Sequence, residues 1–199
     1  MNGNFTAFCA AMFASALIIA FCGIFWFKSS TFALADTPSP ATKTVYLTFD
    51  DGPSNKVTPK ILDVLKEENV KATFFIIGRQ AQNRMDILQR AYNEGHTLGV
   101  HSYSHEYNKI YSSSKSLLKD IADCNEIIKS VTGSYSDIYR FPGGSYGLSN
   151  TLISAVTAHG FRYVDWNASM RDAEFSNPTP QQLFTAAVET AADSERIVL

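Results

Sequence analysis

Two adjacent carboxylates, Asp50 and Asp51, stand where an alternating apolar and polar run ends. That run, residues 45–49, is typical of a buried strand, and Gly52 and Pro53 break it behind the acids. Two carboxylates at the end of a strand are costly to desolvate unless a metal, a cationic partner or solvent compensates their charge. An isolated Asp-Asp-Gly is ordinarily a solvated turn, so the acids alone do not define a site.

A pair of histidines, His101 and His105, follows a second strand-like run at residues 97–100. At a spacing of four, both imidazoles would point the same way on one turn of helix. Ser102 stands where HExxH metalloproteases carry their glutamate base, so that mechanism does not fit. Two imidazoles and one carboxylate still form a facial set with open positions for water and substrate, which suits zinc, cobalt or iron.

The two acids are expected to play different parts, because adjacent residues of a strand point to opposite sides. One carboxylate could bind an ion while the other faces the open coordination positions as a base. A bound divalent ion lowers the pKa of its water to about 7 and polarises a carbonyl. These residues therefore predict a metal-dependent hydrolase that forms no covalent intermediate.

The elements that must position these residues alternate between strand and helix patterns. Helix patterns separate six strand-like runs, at residues 44–50, 72–77, 97–100, 138–140, 161–166 and 196–199. This alternation predicts parallel βαβ units in an α/β sheet or barrel, with residues 72–77 as a strand buried on both faces. Ligands gather at the C-terminal ends of such strands, which is where the chain places Asp50, Asp51, His101, Arg140 and Asp165.

Several helices carry recognisable end signals. Thr58 is predicted as an N-cap, with Pro59 in the first turn. A long amphipathic helix over residues 115–131 is closed by Gly133. Thr179 and Gln182 have the form of a capping box and predict a helix through about residue 192.

The first 35 residues differ from the rest of the chain. Residues 7–27 carry no charged side chain and are long enough to cross a bilayer, for which about 20 apolar residues suffice. Ala33 and Ala35 have the small-x-small form of a signal-peptidase site. We therefore predict a hydrophobic helix within a signal peptide or membrane-embedded signal anchor at residues 1–35. A linker follows at 36–43, and an extracytoplasmic domain occupies residues 44–199.

Composition excludes some classes of protein. A net charge of −2 across 199 residues, with Lys and Arg scattered, gives no electrostatic case for nucleic acid. Cys124 is the single cysteine of the predicted domain, so an internal disulfide is excluded there. Nothing in the sequence indicates an oligomeric state.

Three motifs resemble, in their order, those of the polysaccharide deacetylases with a NodB-homology domain, carbohydrate esterase family four. They are Thr48-Phe49-Asp50-Asp51-Gly52, His101-Ser102-Tyr103-Ser104-His105 and Arg140-Phe141-Pro142-Gly143-Gly144. The resemblance covers residues 44–199. It implies a distorted (β/α) barrel that removes N- or O-acetyl groups from cell-wall or other polysaccharides.

The resemblance also implies roles for the charged residues. Asp50 would be the general base, and Arg140 would hold it in place through a charge-assisted hydrogen bond. The metal, Zn²⁺ with Co²⁺ as the alternative, would be bound by Asp51, His101 and His105.

A substrate groove is implied at Pro142, Gly143 and Gly144, whose backbone would line it. An N–H near Gly143 would share the acetyl oxyanion with the metal.

The family's fourth motif is degenerate in this chain. Asp165, Trp166 and Asp172 look like its acidic and aromatic positions. Trp166 would be a wall of the groove or, alternatively, a core residue. Asp165 and Asp172 are the candidates for tuning the base.

The fifth motif of the family is a strand carrying Leu-x-His, whose histidine serves as general acid. The chain reads Ile197-Val198-Leu199 where that motif would begin. We therefore expect a barrel that is incomplete at its C-terminus, lacking the last strand and the acid. The first strand would then have an unpaired edge.

These observations favour an extracytoplasmic, zinc-dependent N-deacetylase whose partner is a cell-wall polysaccharide, namely the N-acetylglucosamine of bacterial peptidoglycan. One alternative is an O-acetyl esterase acting on xylan-like glycans. Another is a catalytically impaired wall protein that binds glycan without turnover.

Overall fold

The computed structural model describes residues 44–191 and 196–199. The strands of this part are β1 (Thr44–Tyr46), β2 (Thr48–Gly52), β3 (Thr73–Ile77), β4 (Thr97–Ser102), β5 (Ile138–Tyr139), β6 (Arg162–Tyr163) and β7 (Arg196–Val198). The helices are α1 (Thr58–Glu67), α2 (Gly78–Ala81), α3 (Met85–Asn93), α4 (Tyr107–Ile110), α5 (Ser114–Thr132), α6 (Asn150–Ala158) and α7 (Pro180–Thr190).

The predicted signal segment with its hydrophobic helix, and the linker at residues 36–43, lie outside the described residues. In the part that the structure does describe, no helix combines the length and the apolar character needed to cross a membrane.

All strand pairings of the described residues are parallel. β2, β3, β4, β5 and β6 lie side by side in that order, and β1 pairs with β7. Parallel neighbours require crossover connections, which the helices between the strands supply. The predicted α/β class is therefore confirmed.

Backbone hydrogen bonds close the strands into a ring. Leu47 alone separates β1 from β2, so these two strands continue one another. On the other side, the N–H groups of Asn167 and Ala168, which follow β6, donate to the carbonyl of Val198 in β7 at 3.2 and 3.1 Å. The result is a small, irregular parallel barrel, as the family resemblance implies.

The edge of the first strand is paired. Val45 of β1 lies in register with Ile197 of β7, and the N–H of Thr48 donates to the carbonyl of Leu199 at 2.7 Å. The expected open edge is therefore wrong, because residues 196–198 form a strand that occupies it.

β3 is buried on both faces, as its unbroken apolar run predicts. Phe74 and Ile76 belong to the main core, together with buried helix residues such as Leu117. Phe75 faces the opposite side of the strand, where the guanidinium of Arg140 lies 4.3 Å from its ring centre. The strand thus supplies an apolar floor beneath the charged residues of the barrel.

Most helix ends follow their sequence signals. Thr179 and Gln182 form the predicted capping box of α7, and Gly133 ends α5 in the left-handed conformation with a φ of 80°. The prediction for α1 is wrong by one residue, because Thr58 is already helical. The hydroxyl of Ser54 accepts the N–H of Thr58 there.

A buried histidine, His96, lies just before β4, at the end of the barrel remote from the predicted site. Its Nδ1 accepts the N–H of Ala72 at 3.3 Å, so the neutral ring carries its proton on Nε2. Nε2 lies 4.0 Å from Oε2 of Glu94, and neither atom has a hydrogen-bond partner among the described residues. Burial and the charges of Lys71 and Arg90 hold the pKa of His96 below its ordinary value, although Glu94 opposes them.

Stability is expected to fall as the pH drops below 6.5, the ordinary pKa of histidine. Because the pKa of His96 is lower in the folded protein, the unfolded chain binds the proton more readily. The contribution is complete above this pH and is lost as the pH falls through the pKa of the folded state. Thermal unfolding of the full chain between about pH 5 and about pH 8 measures the slope.

His96→Asn retains an acceptor for the N–H of Ala72 and should flatten that slope. His159→Asn, which replaces an exposed histidine, is the matched control and should leave the slope unchanged. Equal slopes in the parent and in His96→Asn would contradict the assignment.

Candidate active site

Three candidate ligand atoms meet at the C-terminal ends of β2 and β4. Oδ1 of Asp51 lies 3.4 Å from Nε2 of His101 and 3.1 Å from Nε2 of His105. Among the described residues, this is the one group of three or more His, Cys, Asp or Glu side chains whose ligand atoms all lie within 4.8 Å of one another.

The two histidines reach this point from different local structures. His101 is buried within β4, whereas His105 lies in the following turn with a φ of 57°. The prediction that the pair shares one turn of helix is therefore wrong. The N–H of His105 donates to the hydroxyl of Ser102 at 2.8 Å instead of to a carbonyl four residues back. The turn nevertheless brings the ring centres to 5.3 Å.

A backbone contact fixes the orientation of His101. Nδ1 lies 2.8 Å from the carbonyl oxygen of Arg140, which can only accept, so Nδ1 carries the proton. Nε2 then presents its lone pair to the cluster. A histidine held in this way by its other nitrogen is typical of metal ligands.

Electrostatics also favours the carboxylate form of Asp51 and the neutral form of His105. Contact with the His101 imidazole holds the pKa of Asp51 below its ordinary value, and His105 lowers this pKa further. Partial burial of Asp51 acts in the opposite direction. Burial lowers the pKa of His105, against the attraction of Asp51. A carboxylate and neutral imidazoles are the forms that a metal ion binds. One oxygen and two nitrogens with a position left open fit a catalytic zinc site, so the residues present fit the implied ion.

Two of the three candidate ligands have unusual backbone conformations. Asp51 has a φ of 65° and His105 a φ of 57°, a region uncommon for residues other than glycine. The pairing register of β2 with β3 also shifts between Phe49 and Gly52. This irregularity, in addition to strand alternation, separates the two adjacent carboxylates.

Asp50 pairs with Arg140 instead of joining the cluster. Nη1 of Arg140 donates to Oδ1 of Asp50 at 2.9 Å and to Oγ1 of Thr48 at 2.7 Å. Nε of Arg140 donates to the carbonyl of Val164 at 2.8 Å. The arginine side chain is 3% exposed and the aspartate side chain 29%. A buried, multiply bonded cation thus holds a carboxylate that remains accessible.

The cluster and the Asp50–Arg140 pair line one cavity of about 610 Å³. Gly143, Trp166 and Asp172 also line this cavity. Trp166 is 42% exposed, so it lies at the wall and not in the core. Tyr107 contributes another aromatic wall, edge-on to His105 with ring centres 5.3 Å apart.

The loop after β5 is held at both ends. The hydroxyl of Tyr111 donates to the carbonyl of Pro142 at 2.7 Å. The carboxylate of Asp165 accepts the N–H of Ser145 at 3.0 Å and also its hydroxyl. Asp165 therefore positions this loop.

Gly143 and Gly144, inside that loop, need to be glycines. Their φ values are 79° and 83°, which side chains disfavour. An added Cβ at Gly143 would lie 3.2 Å from the Tyr107 ring, and one at Gly144 would lie 3.2 Å from the Trp166 ring. The close approach keeps backbone and aromatic groups together at the cavity wall.

Sequence reasoning missed several residues that support the site, namely Thr48, Ser102, Tyr107, Tyr111, Asp120 and Ser145. Thr48 and Ser102 lie inside the first two family motifs, where their short polar side chains are a usable signal. Asp120 lies within an amphipathic helix, where a polar residue is ordinarily solvent-facing.

The fold places the chain among parallel α/β barrels with a site at the carboxyl ends of the strands. Comparison with known proteins narrows that class: the sequence model of the polysaccharide deacetylase family matches residues 37–164. The chain belongs to this family.

Individual relatives agree with this placement. The chain is 38% identical over 147 residues to a peptidoglycan-N-acetylglucosamine deacetylase of Bacillus cereus, covering 74% of this chain and 52% of that protein. The catalytic domain of peptidoglycan N-acetylglucosamine deacetylase from Eubacterium rectale matches with a TM-score of 0.72 and 39% identity, over 83% of this chain and 79% of that one. A Streptococcus mutans CE4 esterase matches with a TM-score of 0.72 and 32% identity, over 79% and 72% of the two chains. The chain spans about half the length of the curated relatives it matches.

Proposed function

We propose that this chain carries the catalytic domain of a metal-dependent deacetylase that hydrolyses N-acetyl groups of bacterial cell-wall polysaccharide. One observation carries the proposal: the Asp51, His101 and His105 ligand atoms converge in the same cavity as the Asp50–Arg140 pair. A ligand set beside a separately held carboxylate is what hydrolysis by an activated water requires.

The roles of the residues follow from their contacts. Asp51, His101 and His105 would hold the ion, and Zn²⁺ is the ion proposed, with Co²⁺ as an alternative. A bound divalent ion would supply Lewis acidity toward the acetyl carbonyl and a more acidic water. Asp50 removes a proton from the attacking water, and the buried Arg140 keeps its carboxylate at the cavity wall.

Supporting the choice of substrate, the relatives above include deacetylases named for peptidoglycan N-acetylglucosamine. Half-exposed aromatic rings of Tyr107 and Trp166 flank the cavity, and an amphipathic sugar face can pack on such rings. The glycan would run past the backbone of Pro142, Gly143 and Gly144. Action on the wall requires an extracytoplasmic domain, for which residues 1–35 would serve as a signal peptide or anchor.

Release of acetate is the measurement that tests this function. The full chain would be incubated with purified peptidoglycan, with chitin oligomers and with acetylxylan. Acetate from the first two and little from the third would support an N-deacetylase. Preference for acetylxylan would instead favour an O-acetyl esterase, for which the likeness to the S. mutans CE4 esterase is the supporting observation.

Removal of metal is expected to abolish acetate release, because proton removal by Asp50 depends on a water of lowered pKa. A chelator-treated sample should recover activity on addition of Zn²⁺ or Co²⁺, and recovery is followed by the rate of acetate release. An unchanged rate after chelation would overturn the metal-dependent mechanism. Glycan binding without any acetate release, in the presence of Zn²⁺, would favour a wall-binding protein.

A further inference from the structure

The carboxylate of Asp120, in α5, binds the turn that carries His105. Oδ2 accepts the hydroxyl of Ser102 at 2.5 Å and the N–H of Tyr103 at 2.8 Å. Oδ1 accepts the N–H of Ser104 at 3.0 Å. Three donors from consecutive residues therefore converge on one side chain, which only an acceptor-only group such as a carboxylate can satisfy completely.

The bonds continue to His105 itself. The Ser102 hydroxyl donates to Asp120 and at the same time accepts the N–H of His105 at 2.8 Å. With its hydrogen occupied by the carboxylate, that hydroxyl turns a lone pair toward His105. Asp120 thereby acts on a candidate metal ligand without touching it.

The helix that carries Asp120 is a rigid support. Leu117, Ile121 and Cys124, on the neighbouring turns of α5, are each 0 or 1% exposed. The sulfur of Cys124 also lies 3.4 Å from the carbonyl of Ile76 in β3. Asp120 is thus fixed relative to the barrel, and the turn is fixed relative to Asp120.

The opposite side of the turn is held by Arg79. Its N–H donates to the carbonyl of Tyr103 at 3.0 Å, and its guanidinium donates to the carbonyl of Ser104. The turn therefore keeps part of its hydrogen bonding when Asp120 is changed. Loss of Asp120 is expected to loosen the orientation of His105 and not to unfold the barrel.

We propose that Asp120 is a positioning residue for the metal site: its carboxylate, acting through Ser102 and the backbone of residues 103 and 104, holds His105 in the left-handed conformation that directs its Nε2 to Asp51 and His101. This inference rests on the proposed metal site. Groups that orient metal ligands from outside the ligand set typically change metal affinity about 10- to 100-fold when they are removed.

The test compares Zn²⁺ affinities of the parent chain, Asp120→Asn and Asp123→Asn by calorimetric titration of the metal-free proteins. In Asp120→Asn, the NH₂ group of the amide would face hydroxyl and N–H donors of the turn that a carboxylate oxygen accepts in the parent. The variant is therefore expected to bind Zn²⁺ at least about tenfold more weakly. Asp123 lies one turn of α5 away and pairs with Lys119 at 2.6 Å, so its Asn variant should bind as the parent does. Equal affinities in the parent and in Asp120→Asn would overturn the proposal.

A second readout separates positioning from a purely structural role. In the metal-free protein, amide exchange at His105 and Ser104 should speed up in Asp120→Asn, while exchange at Gly133 stays unchanged. A lower melting temperature with unchanged Zn²⁺ affinity of the folded fraction would mean a structural role only and would overturn the proposal.

Two further outcomes remain distinct. If Asp120→Asn fails to fold, Ser102→Ala is the alternative variant, because it removes the link to His105 while leaving two hydrogen bonds to Asp120. Ser102→Ala should bind Zn²⁺ more weakly than the parent. An affinity equal to that of the parent would overturn the proposal. Absence of Zn²⁺ binding in the folded parent would overturn the proposed function, and the positioning role with it.

Discussion

Replacing Asp50 with Asn is expected to lower the rate of acetate release by about two to four orders of magnitude, the usual contribution of a general base. The amide has nearly the same shape as the carboxylate but cannot take up the proton of water at neutral pH. Its oxygen can still accept the hydrogen bond from Arg140, so the wall of the cavity should be preserved. The measurement is the rate of acetate release from peptidoglycan at saturating Zn²⁺.

The neighbouring acid supplies the matched control. Asp51→Asn changes the same kind of group one residue away, but it alters a candidate ligand. We expect Asp51→Asn to weaken Zn²⁺ binding, whereas Asp50→Asn should bind Zn²⁺ nearly as the parent does. Full activity in Asp50→Asn would remove the assignment of the base, and a large loss of Zn²⁺ affinity in that variant would reassign Asp50 as a ligand.

Replacing Arg140 with Met is expected to destabilise the fold by about 3 kcal/mol, because removing one partner of a buried ion pair leaves the others unsatisfied. The carbonyl of Val164, the hydroxyl of Thr48 and the carboxylate of Asp50 would all lose a donor. Urea denaturation gives the free energy of unfolding. Acetate release should also fall, because the base would no longer be held at the cavity wall.

Arg162→Met is the control for the loss of a guanidinium in the next strand. Its ion pair with Asp137 has side chains 72% and 64% exposed, and exposed pairs contribute about 0–1 kcal/mol. An equal loss in the free energy of unfolding for Arg140→Met and Arg162→Met would contradict the prediction, because the buried contacts of Arg140 would then contribute no more to stability than an exposed ion pair.

Local sequence patterns were sufficient for the alternation of strands with the longer helices and for the ends of several helices, but not for the short helices α2 and α4 or for the break between β1 and β2. The apolar run in β3 and the Thr179–Gln182 capping box are short-range features, and the structure confirms both. The four-residue spacing of His101 and His105 suggested a helix, because a spacing argument takes account of these two side chains alone. The turn at His105 is held because the Ser102 hydroxyl accepts the N–H of His105 and donates to the carboxylate of Asp120. Asp120 lies in α5 and not in the strand or turn that carries the histidines.

The support of Asp50 was likewise only partly visible in the sequence. Arg140 was expected as its partner from the family resemblance, but the contacts of Arg140 with Thr48 and Val164 join strands that are distant in sequence. The pairing of β7 with β1 also depends on contacts between the two ends of the described domain. Such contacts follow from the closed geometry of the barrel and leave no periodic pattern in either strand.

The closure of the barrel through Thr48 also sets an order of events during biosynthesis. Its hydroxyl contacts the carbonyl of Leu199, 151 positions along the chain, and contacts of such separation carry a large loop-closure entropy. A nascent chain emerging from the ribosome exposes β1 long before β7 has been synthesised. Thr48, which also receives a hydrogen bond from Arg140, therefore acquires its full set of partners only after residue 199 has been synthesised. Until that point, a nascent chain carries the residues of the candidate metal site without the complete support of Asp50.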